Sequence, residues 1–391
     1  MINKKTVKDL DVTGKRVFVR VDFNVPLNNG NITDDTRIKA ALPTINYLLD
    51  NGAAIILASH LGRPGGVNNP EFSLQPVAEF LHKSLDNKVI FAGDCRGDKV
   101  KEMADTLLPG NILLLENTRF YPGEKKNDPD MGKEFASLAD IFVNDAFGTA
   151  HRAHASNVGV ANYLPSAAGL LLEKEINYLG KTIADPARPF TAILGGAKVS
   201  DKIGVINNLI KSVDWILIGG GMANTFFASQ GYSMGDSLVE EESIDAAKDI
   251  LSRAGNKLIL PTDLILGDSF SAEAYIKKIP LGNVPQGWRI LDIGENTLNK
   301  FAKAINESQT IIWNGPMGVF EFPAFATGTN EIAKLVSQCR GVSIVGGGDS
   351  ASAIAGAGLS DQITHISTGG GASLYMLEGK TLPGLEALDN E

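Results

Sequence analysis

Cysteine is almost absent: two residues, Cys95 and Cys339, serve a chain of 391. They lie far apart and form no CxxC pair, which excludes a disulfide scaffold and a cysteine-ligated metal centre. Histidine is nearly as scarce at five, with no HExxH pair, so the pattern of a zinc hydrolase is missing too. No apolar run reaches the about 18 residues that a membrane-spanning helix needs. The opening stretch MINKKTVKDLDVTGKR lacks the apolar region of an export signal. A basic excess is also lacking: 36 Lys and Arg stand against 45 Asp and Glu, a net charge of -9, which argues against broad nucleic-acid binding. These absences lead to the expectation of a cytoplasmic protein with no nucleic-acid or membrane partner.

What the chain has is apolar mass and glycine. It is 43% hydrophobic and 21% charged, with 42 glycines that follow no period, as expected of a packed protein with close backbone approaches rather than a fibre or a disordered chain. At roughly 150 residues per domain the length fits two domains. Apolar runs of strand-forming residues recur at 16–21 (RVFVRV), 53–58 (AAIILA), 111–115 (NILLL) and 141–143 (IFV). They continue at 190–194, 215–218, 257–260, 310–313, 342–345 and 365–367. Runs that do not alternate suit strands covered on both faces of a parallel sheet. Helical segments lie between them, including 35–50, 201–211 and 240–254, as βαβ units require. The class is α/β. A helical pattern over 170–183 is broken by DPARP at 185–189. It divides the chain into an N-terminal domain (1–169), a connecting helix (170–184) and a C-terminal domain (185–372).

In an open parallel sheet, ligands bind beyond the carboxyl ends of the strands. In the first half those ends carry Asp22 and Asn24, then His60 and Arg63, then Arg119, then His151, Arg152 and His154, while Arg37 opens the helix after the first strand. Arginine and histidine gathered at several strand ends of an acidic chain point to a bound anion, because a guanidinium forks carboxylate or phosphate through paired hydrogen bonds. Asp22 and Asn24 suit hydroxyl groups of the same ligand. His82 falls outside this set and reads as a helix-surface residue.

The second half carries glycine at the same places: Gly195-Gly196, Gly219-Gly220-Gly221, Asn314-Gly315, Gly346-Gly347-Gly348-Asp349-Ser350 and Gly369-Gly370-Gly371. Glycine there lets backbone N–H groups and helix N-termini approach phosphate, so a nucleotide is expected. Neither GxxxxGKS/T nor a GxGxxG opening the first βαβ unit occurs, which weakens a P-loop or nicotinamide reading. Lys198 and Lys202 stand four apart, which on a helix would place both on one face as a phosphate clamp. Asp349 suits magnesium held together with phosphate oxygens, or the cap of the helix SASAIAGA. Glu321 suits a ribose hydroxyl, or is a surface acid. No Ser–His–Asp or Cys–His set is evident. Phosphoryl transfer, which needs positioning and charge neutralisation more than a nucleophile, accounts for both halves. An NAD-dependent dehydrogenase and a nucleotide sensor without turnover are the alternatives.

The motifs RVDFNVP (20–26), SHLGRP (59–64), ENTRF (116–120), NDAFGTAHRAHAS (144–156), LGGAKVSDK (194–202), GGGMANTF (219–226), WNGPMGVFE (313–321), GGGDS (346–350) and STGGGAS (367–373) resemble those of the phosphoglycerate kinase family, in family order from end to end. Ser350 stands where the family usually has Thr, and keeps the hydroxyl. The resemblance implies two Rossmann-like, doubly wound parallel-sheet domains joined by a helix and hinge, with segment 373–391 returning to the N-terminal domain. It implies reversible transfer of the acyl phosphate of 1,3-bisphosphoglycerate to MgADP, giving 3-phosphoglycerate and MgATP. By motif position, Asp22, Asn24, Arg37, His60, Arg63, Arg119 and Arg152 hold 3-phosphoglycerate. Lys202, Gly294, Glu321, Gly347, Gly348, Asp349 and Ser350 hold the nucleotide, with Asp349 on Mg2+. Arg37 and Lys198, with the N–H groups of Gly370 and Gly371, face the transferring phosphoryl group. A monomer acting by direct in-line transfer after hinge closure completes the expectation.

Overall fold

The computed structural model describes residues 3–85 and 88–391. The chain divides into two compact units, Met1–Asn177 with Thr381–Glu391, and Tyr178–Lys380.

Strands of the first unit are β1 (Arg16–Arg20), the small hairpin β2 (Leu27–Asn28) and β3 (Asn31–Ile32), then β4 (Ala54–Ala58), β5 (Val89–Phe91), β6 (Ile112–Leu114), β7 (Ile141–Asn144) and β8 (Ser166–Ala168). All but the hairpin join one sheet in the order β5-β6-β4-β1-β7-β8, each pair parallel. Every residue of β4 is buried, which explains why its run is apolar without alternation. Helix Thr36–Asp50 lays Ile38, Ala41, Ile45 and Leu48 into the core, a three-and-four spacing that makes one apolar stripe. Each such Ile or Leu, fully buried, is worth about 1.5–3 kcal/mol. On the opposite face the Phe18 ring packs 5.4 Å from Phe135 and 6.2 Å from Phe142.

The strand order reverses between β1 and β7, which is where a ligand crevice is expected in such a sheet. Asp145 follows β7 there, wholly buried. Its carboxylate accepts the N–H groups of Leu171 at 2.9 Å and Leu172 at 3.2 Å, and so caps the helix Leu170–Glu175. Gly169 is glycine because a Cβ would lie 2.2 Å from that carboxylate. Burial pushes the Asp145 carboxyl up to about 7, against hydrogen bonds from Thr44, Leu172 and Leu171 that favour its charged form.

The C-terminal eleven residues complete the first unit. Gly384 donates its N–H to the Ala150 carbonyl at 2.9 Å and accepts from the Asn144 amide at 2.9 Å. Lys5 donates to the Asp389 carbonyl at 3.0 Å, and Leu382, Leu385 and Leu388 are buried.

The second unit holds β9 (Phe190–Leu194), β10 (Trp215–Ile218), β11 (Leu258–Ile259), β12 (Asp263–Gly267), β13 (Ile276–Pro280), β14 (Arg289–Ile293), β15 (Thr310–Asn314), β16 (Val342–Gly346) and β17 (His365–Ile366). Its main sheet runs β11-β10-β9-β15-β16-β17, all parallel, the doubly wound order with its reversal between β9 and β15. Trp313, Ile193, Leu217 and Val345 pack against Phe301, Ile305, Ile332 and Val336 of the flanking helices.

Three features depart from the sequence-based expectations. A separate antiparallel sheet, β13-β12-β14, fills 263–293, where no strand is expected; β13 is exposed along most of its length, so its run of IKKIP carries no buried-strand signal. The connecting helix is not uniform: it passes from Leu170–Glu175 through a π-helical turn, Ile176–Lys181, to Thr182–Ala184, and the boundary between units falls within that turn. Residues 373–380 stay with the second unit rather than with the returning tail, because helix Gly370–Leu377 is tied there, with Asn208 donating to the Leu377 carbonyl at 2.9 Å.

Candidate active site

In the first unit the residues singled out at the strand ends converge. Arg37, on the first turn of helix Thr36–Asp50, donates to Asp22 at 3.2 Å and to the Asn24 carbonyl at 3.1 Å. The Asn24 side-chain oxygen accepts the Gly62 N–H at 2.8 Å. Its amide nitrogen makes no bond among the described residues, which suits the ligand hydroxyl expected there. Arg119 is buried, tied at one end to the Gly62 carbonyl at 2.8 Å, and its Nε has no partner among the described residues. Burial first, then the neighbouring Arg20 and Arg152 cations, lowers the Arg119 pKa to about 10. Arg63 and Arg152 are exposed; Arg152 donates to His151 at 3.0 Å, whereas Arg63 makes no bond among the described residues.

The ordering element beneath them was not singled out from the sequence. Arg20, the last residue of β1, is fully buried. Its Nε donates to Ser156 Oγ at 2.7 Å, one Nη to the Val21 carbonyl, and the other lies 3.2 Å from His60 Nδ1. Ser156 Oγ in turn donates to Glu124 at 2.6 Å, and Glu124 also accepts from the Ser156 N–H at 3.0 Å and Thr118 at 3.1 Å. Arg20, set among apolar residues of the strand run RVFVRV, is the one signal in the sequence by which this buried charge could have been found. Glu124 has no local signal, since its partners are 6 to 32 positions away.

A guanidinium only donates, so His60 Nδ1 is the acceptor and its proton sits on Nε2. Burial, then the charges of Arg20 and Arg119, holds the His60 pKa well below its usual value, and the same causes push His154 down to about 3. Both rings are therefore neutral. The 3.9 Å approach of His60 to Asp22 and the 3.7 Å approach of His154 to Glu124 are not ion pairs. The guanidinium groups of Arg20, Arg37 and Arg119 thus meet the carboxylates of Asp22 and Glu124, and this excess of positive charge, in an acidic protein, suits an anionic ligand.

In the second unit a cleft of about 440 Å3 opens beside the reversal between β9 and β15. Gly196, Gly220 and Gly221 line it with backbone, Phe227, Leu238, Leu264, Leu291 and Val319 make an apolar slot, and Glu321, Asp349, Asp236 and Arg289 bring charge. An apolar slot with a few polar groups suits a flat base with sugar and phosphate beyond it. Part of its apolar wall, Leu264, Ile290, Leu291 and Ile293, comes from the antiparallel sheet, and sequence reasoning missed that sheet. It also missed Asn224, 1% exposed, whose amide donates to the Leu238 carbonyl at 3.1 Å while its oxygen has no partner among the described residues.

Lys202 is buried and donates to the Asn314 side-chain oxygen at the end of β15. Burial lowers its pKa to about 8, opposed by Asp201, Asp349 and Glu378. Lys198 is exposed, and no bond to it occurs among the described residues. The two lysines do not share a helical face: the helix starts only at Ile203, and both precede it in a turn. Glu321 is exposed at the cleft wall. Gly294 does not line the cleft; a Cβ there would lie 2.2 Å from the Asp263 carboxylate, which caps helix Glu295–Glu307 through Asn296 and Thr297.

The strand-end glycines separate into two groups. Gly195 and Gly315 pack on each other's backbones and Gly220 on those of Gly196 and Pro316, with a Cβ on Gly195 falling 2.1 Å from the Pro316 carbonyl, so packing alone accounts for them. Gly348 has open space around it, and Gly347 takes φ +94°, the left-handed region that favours glycine. Helices Gly348–Gly356 and Gly370–Leu377 begin side by side, a Cβ on Gly370 reaching 3.5 Å from Gly347 Cα, so Gly370 and Gly371 add first-turn N–H groups to those of Gly348. Asp349 makes no cap bond to its helix and is exposed, whereas Ser350 is buried and accepts the Gly315 N–H at 2.7 Å.

A family model described as phosphoglycerate kinase matches residues 7–380. A phosphoglycerate kinase of Moorella thermoacetica is 56% identical over 388 residues, covering 98% of this chain and 99% of that protein. The solved structure of phosphoglycerate kinase from Coxiella burnetii superposes with a TM-score of 0.89 at 43% identity, covering 98% of each chain. That of phosphoglycerate kinase from Pyrococcus horikoshii gives 0.86 at 34% identity, again over 98% of each.

Proposed function

Because this chain belongs to the phosphoglycerate kinase family, and is a kinase that transfers phosphate, we propose that its two units divide one reaction between them. The first holds 3-phosphoglycerate or 1,3-bisphosphoglycerate, and the second holds ADP or ATP. The acyl-phosphate P–O bond breaks as a bond forms from the same phosphorus to a β-phosphate oxygen of ADP, in line and without a phosphoenzyme. The observation that carries this reading is the cluster of Arg20, Arg37, Arg119 and neutral His60 around Asp22, in a chain of net charge -9. Arg37, Arg63, Arg119 and Arg152 take carboxylate and phosphate, and Asp22 and Asn24 the hydroxyl. Lys202, Gly347, Gly348 and Ser350 take the nucleotide phosphates, Glu321 the ribose, and Gly294 supports the wall through its helix.

Arg37 and Lys198, with the N–H groups of Gly370 and Gly371, offset charge on the transferring group. Both substrates are anions, so this offset is the main work of the site. Asp349 is one exposed carboxylate beside open N–H groups, and no cluster of three His, Cys, Asp or Glu occurs among the described residues. That donor set fits Mg2+ arriving on the nucleotide, which neutralises phosphate oxygens when bound. Since the ligands sit on different units, a hinge movement that joins them and excludes water precedes transfer; the π-helical turn Ile176–Lys181 is the proposed hinge.

The test measures ADP formed from MgATP with and without 3-phosphoglycerate, in a coupled assay that removes the acyl-phosphate product. Turnover that depends on the acid is the expected result. Nucleotide binding by calorimetry without acid-dependent turnover overturns the reading.

A further inference from the structure

The turn that carries Lys198 is held from outside its own strand and helix. Glu240, at the end of the loop after helix Met222–Ser229, accepts the Ser200 N–H at 2.9 Å and the Ser200 hydroxyl at 2.6 Å. Its own N–H donates to Thr225 Oγ1 at 3.1 Å, and Thr225 is 1% exposed within that helix. The loop before Glu240 is itself anchored on β14 and its approach, with Asp236 donating to the Trp288 carbonyl at 2.9 Å and Ile290 to Ser237 at 2.9 Å. Leu238, two residues before Glu240, lines the cleft. Lys198 is exposed on a turn between Gly196 and the buried Val199, and a long side chain on such a turn has many conformations to lose before it can meet a phosphoryl group.

We propose that Glu240 is a positioning residue for phosphoryl transfer, whose carboxylate fixes the Val199–Ser200 turn and so aims Lys198. This rests on the reading of Lys198 at the transferring group. Burial opposes ionisation of Glu240, but hydrogen bonds from Ser200 and Val199 outweigh it and hold its pKa below the usual value, with a further contribution from the Lys198 charge. The carboxylate is thus charged where it must accept several donors at once.

The test compares kcat and both KM values in the full-length enzyme for Glu240→Ala, Glu240→Gln, Ser200→Ala, Lys198→Ala and the double variant Lys198→Ala with Glu240→Ala. Misplacement of a catalytic group by about 1 Å costs up to about 10²-fold, so Glu240→Ala lowers kcat by about 10- to 100-fold, with each KM changing about twofold or less. Glu240→Gln and Ser200→Ala, which keep part of the bonding, fall between it and the parent. In the Lys198→Ala background the Glu240 substitution adds about threefold or less, because the group it positions is gone. Equal losses in both backgrounds, or an unchanged kcat in Glu240→Ala beside a low kcat in Lys198→Ala, overturn the role of Glu240 alone. An unchanged kcat in Lys198→Ala overturns the reading of Lys198 and the inference with it. Glu240→Gln and Ser200→Ala keep the test decisive if Glu240→Ala does not fold.

Discussion

Arg37 and Arg63 carry the same charge and are held differently. Arg37 is fixed by Asp22 and the Asn24 carbonyl, whereas Arg63 is exposed and unattached among the described residues. A fixed cation stabilises charge that develops in the transition state, while a mobile one binds ground and transition states alike. Arg37→Ala is therefore expected to lower kcat by about 10²–10³-fold, the scale of losing one preorganised donor, and Arg63→Ala to raise KM for the acid with kcat kept. Steady-state kinetics with the acid varied separates the two. Asp145 makes a contrasting case, because its folded-state pKa of about 7 lies above the usual carboxylate value. The buried group favours its protonated form, so its contribution to stability is full below about pH 4 and is lost as pH rises towards 7. One oxygen accepts both N–H groups, so Asp145→Asn keeps those bonds and removes the charge. The variant is expected to match the parent in Tm near pH 5 or fall slightly below it, and to exceed it at pH 8.

At the level of elements, the turns after the strands of the second unit share a composition but not a purpose. Gly195→Ala drives a methyl against the Pro316 carbonyl, and overpacking of this kind costs about 1–3 kcal/mol or more. Gly348→Ala meets nothing and trims unfolded-chain entropy, worth about 0.4–1 kcal/mol. Thermal unfolding is expected to show a lowered Tm for the first and an equal or higher Tm for the second, while calorimetry shows weaker nucleotide binding for Gly348→Ala, whose methyl enters the space proposed for phosphate. Sequence alone does not separate the two glycines, because the collision partners are over a hundred residues away. The parallel strands were readable since burial on both faces demands an unbroken apolar run, and β9 and β10 begin and end where the pattern places them. β8 (SAA) and β13 (IKKIP) lack that pattern, and the antiparallel sheet whose β12 and β14 line part of the cleft was missed as well. For the same reason the strand-end arginines and histidines were readable, whereas Glu124, Glu240 and Asn224 act through partners that no local spacing reveals.

For the molecule as a whole, the first unit is discontinuous in the chain. Leu382, Leu385 and Leu388 are buried in it, and at about 1.5–3 kcal/mol each their burial is comparable to the 5–15 kcal/mol that holds a typical domain together. Removal of residues 381–391 is expected to unfold or strongly destabilise the first unit, read as a separate early transition in calorimetry. Nucleotide affinity, proposed for the second unit, is expected to persist; equal loss of both transitions would show that the tail supports more than the unit it joins.

The same stitch sets an order of events during synthesis. A ribosome releases Asn144 and Ala150 long before it makes Gly384, their hydrogen-bond partner, and the whole second unit is translated in between. The first unit therefore waits for its last eleven residues, while the second has already been translated in full. On the proposed division of labour, a chain released before Thr381 is expected to bind nucleotide without transferring phosphate, which calorimetry and a turnover assay on the truncated protein would check.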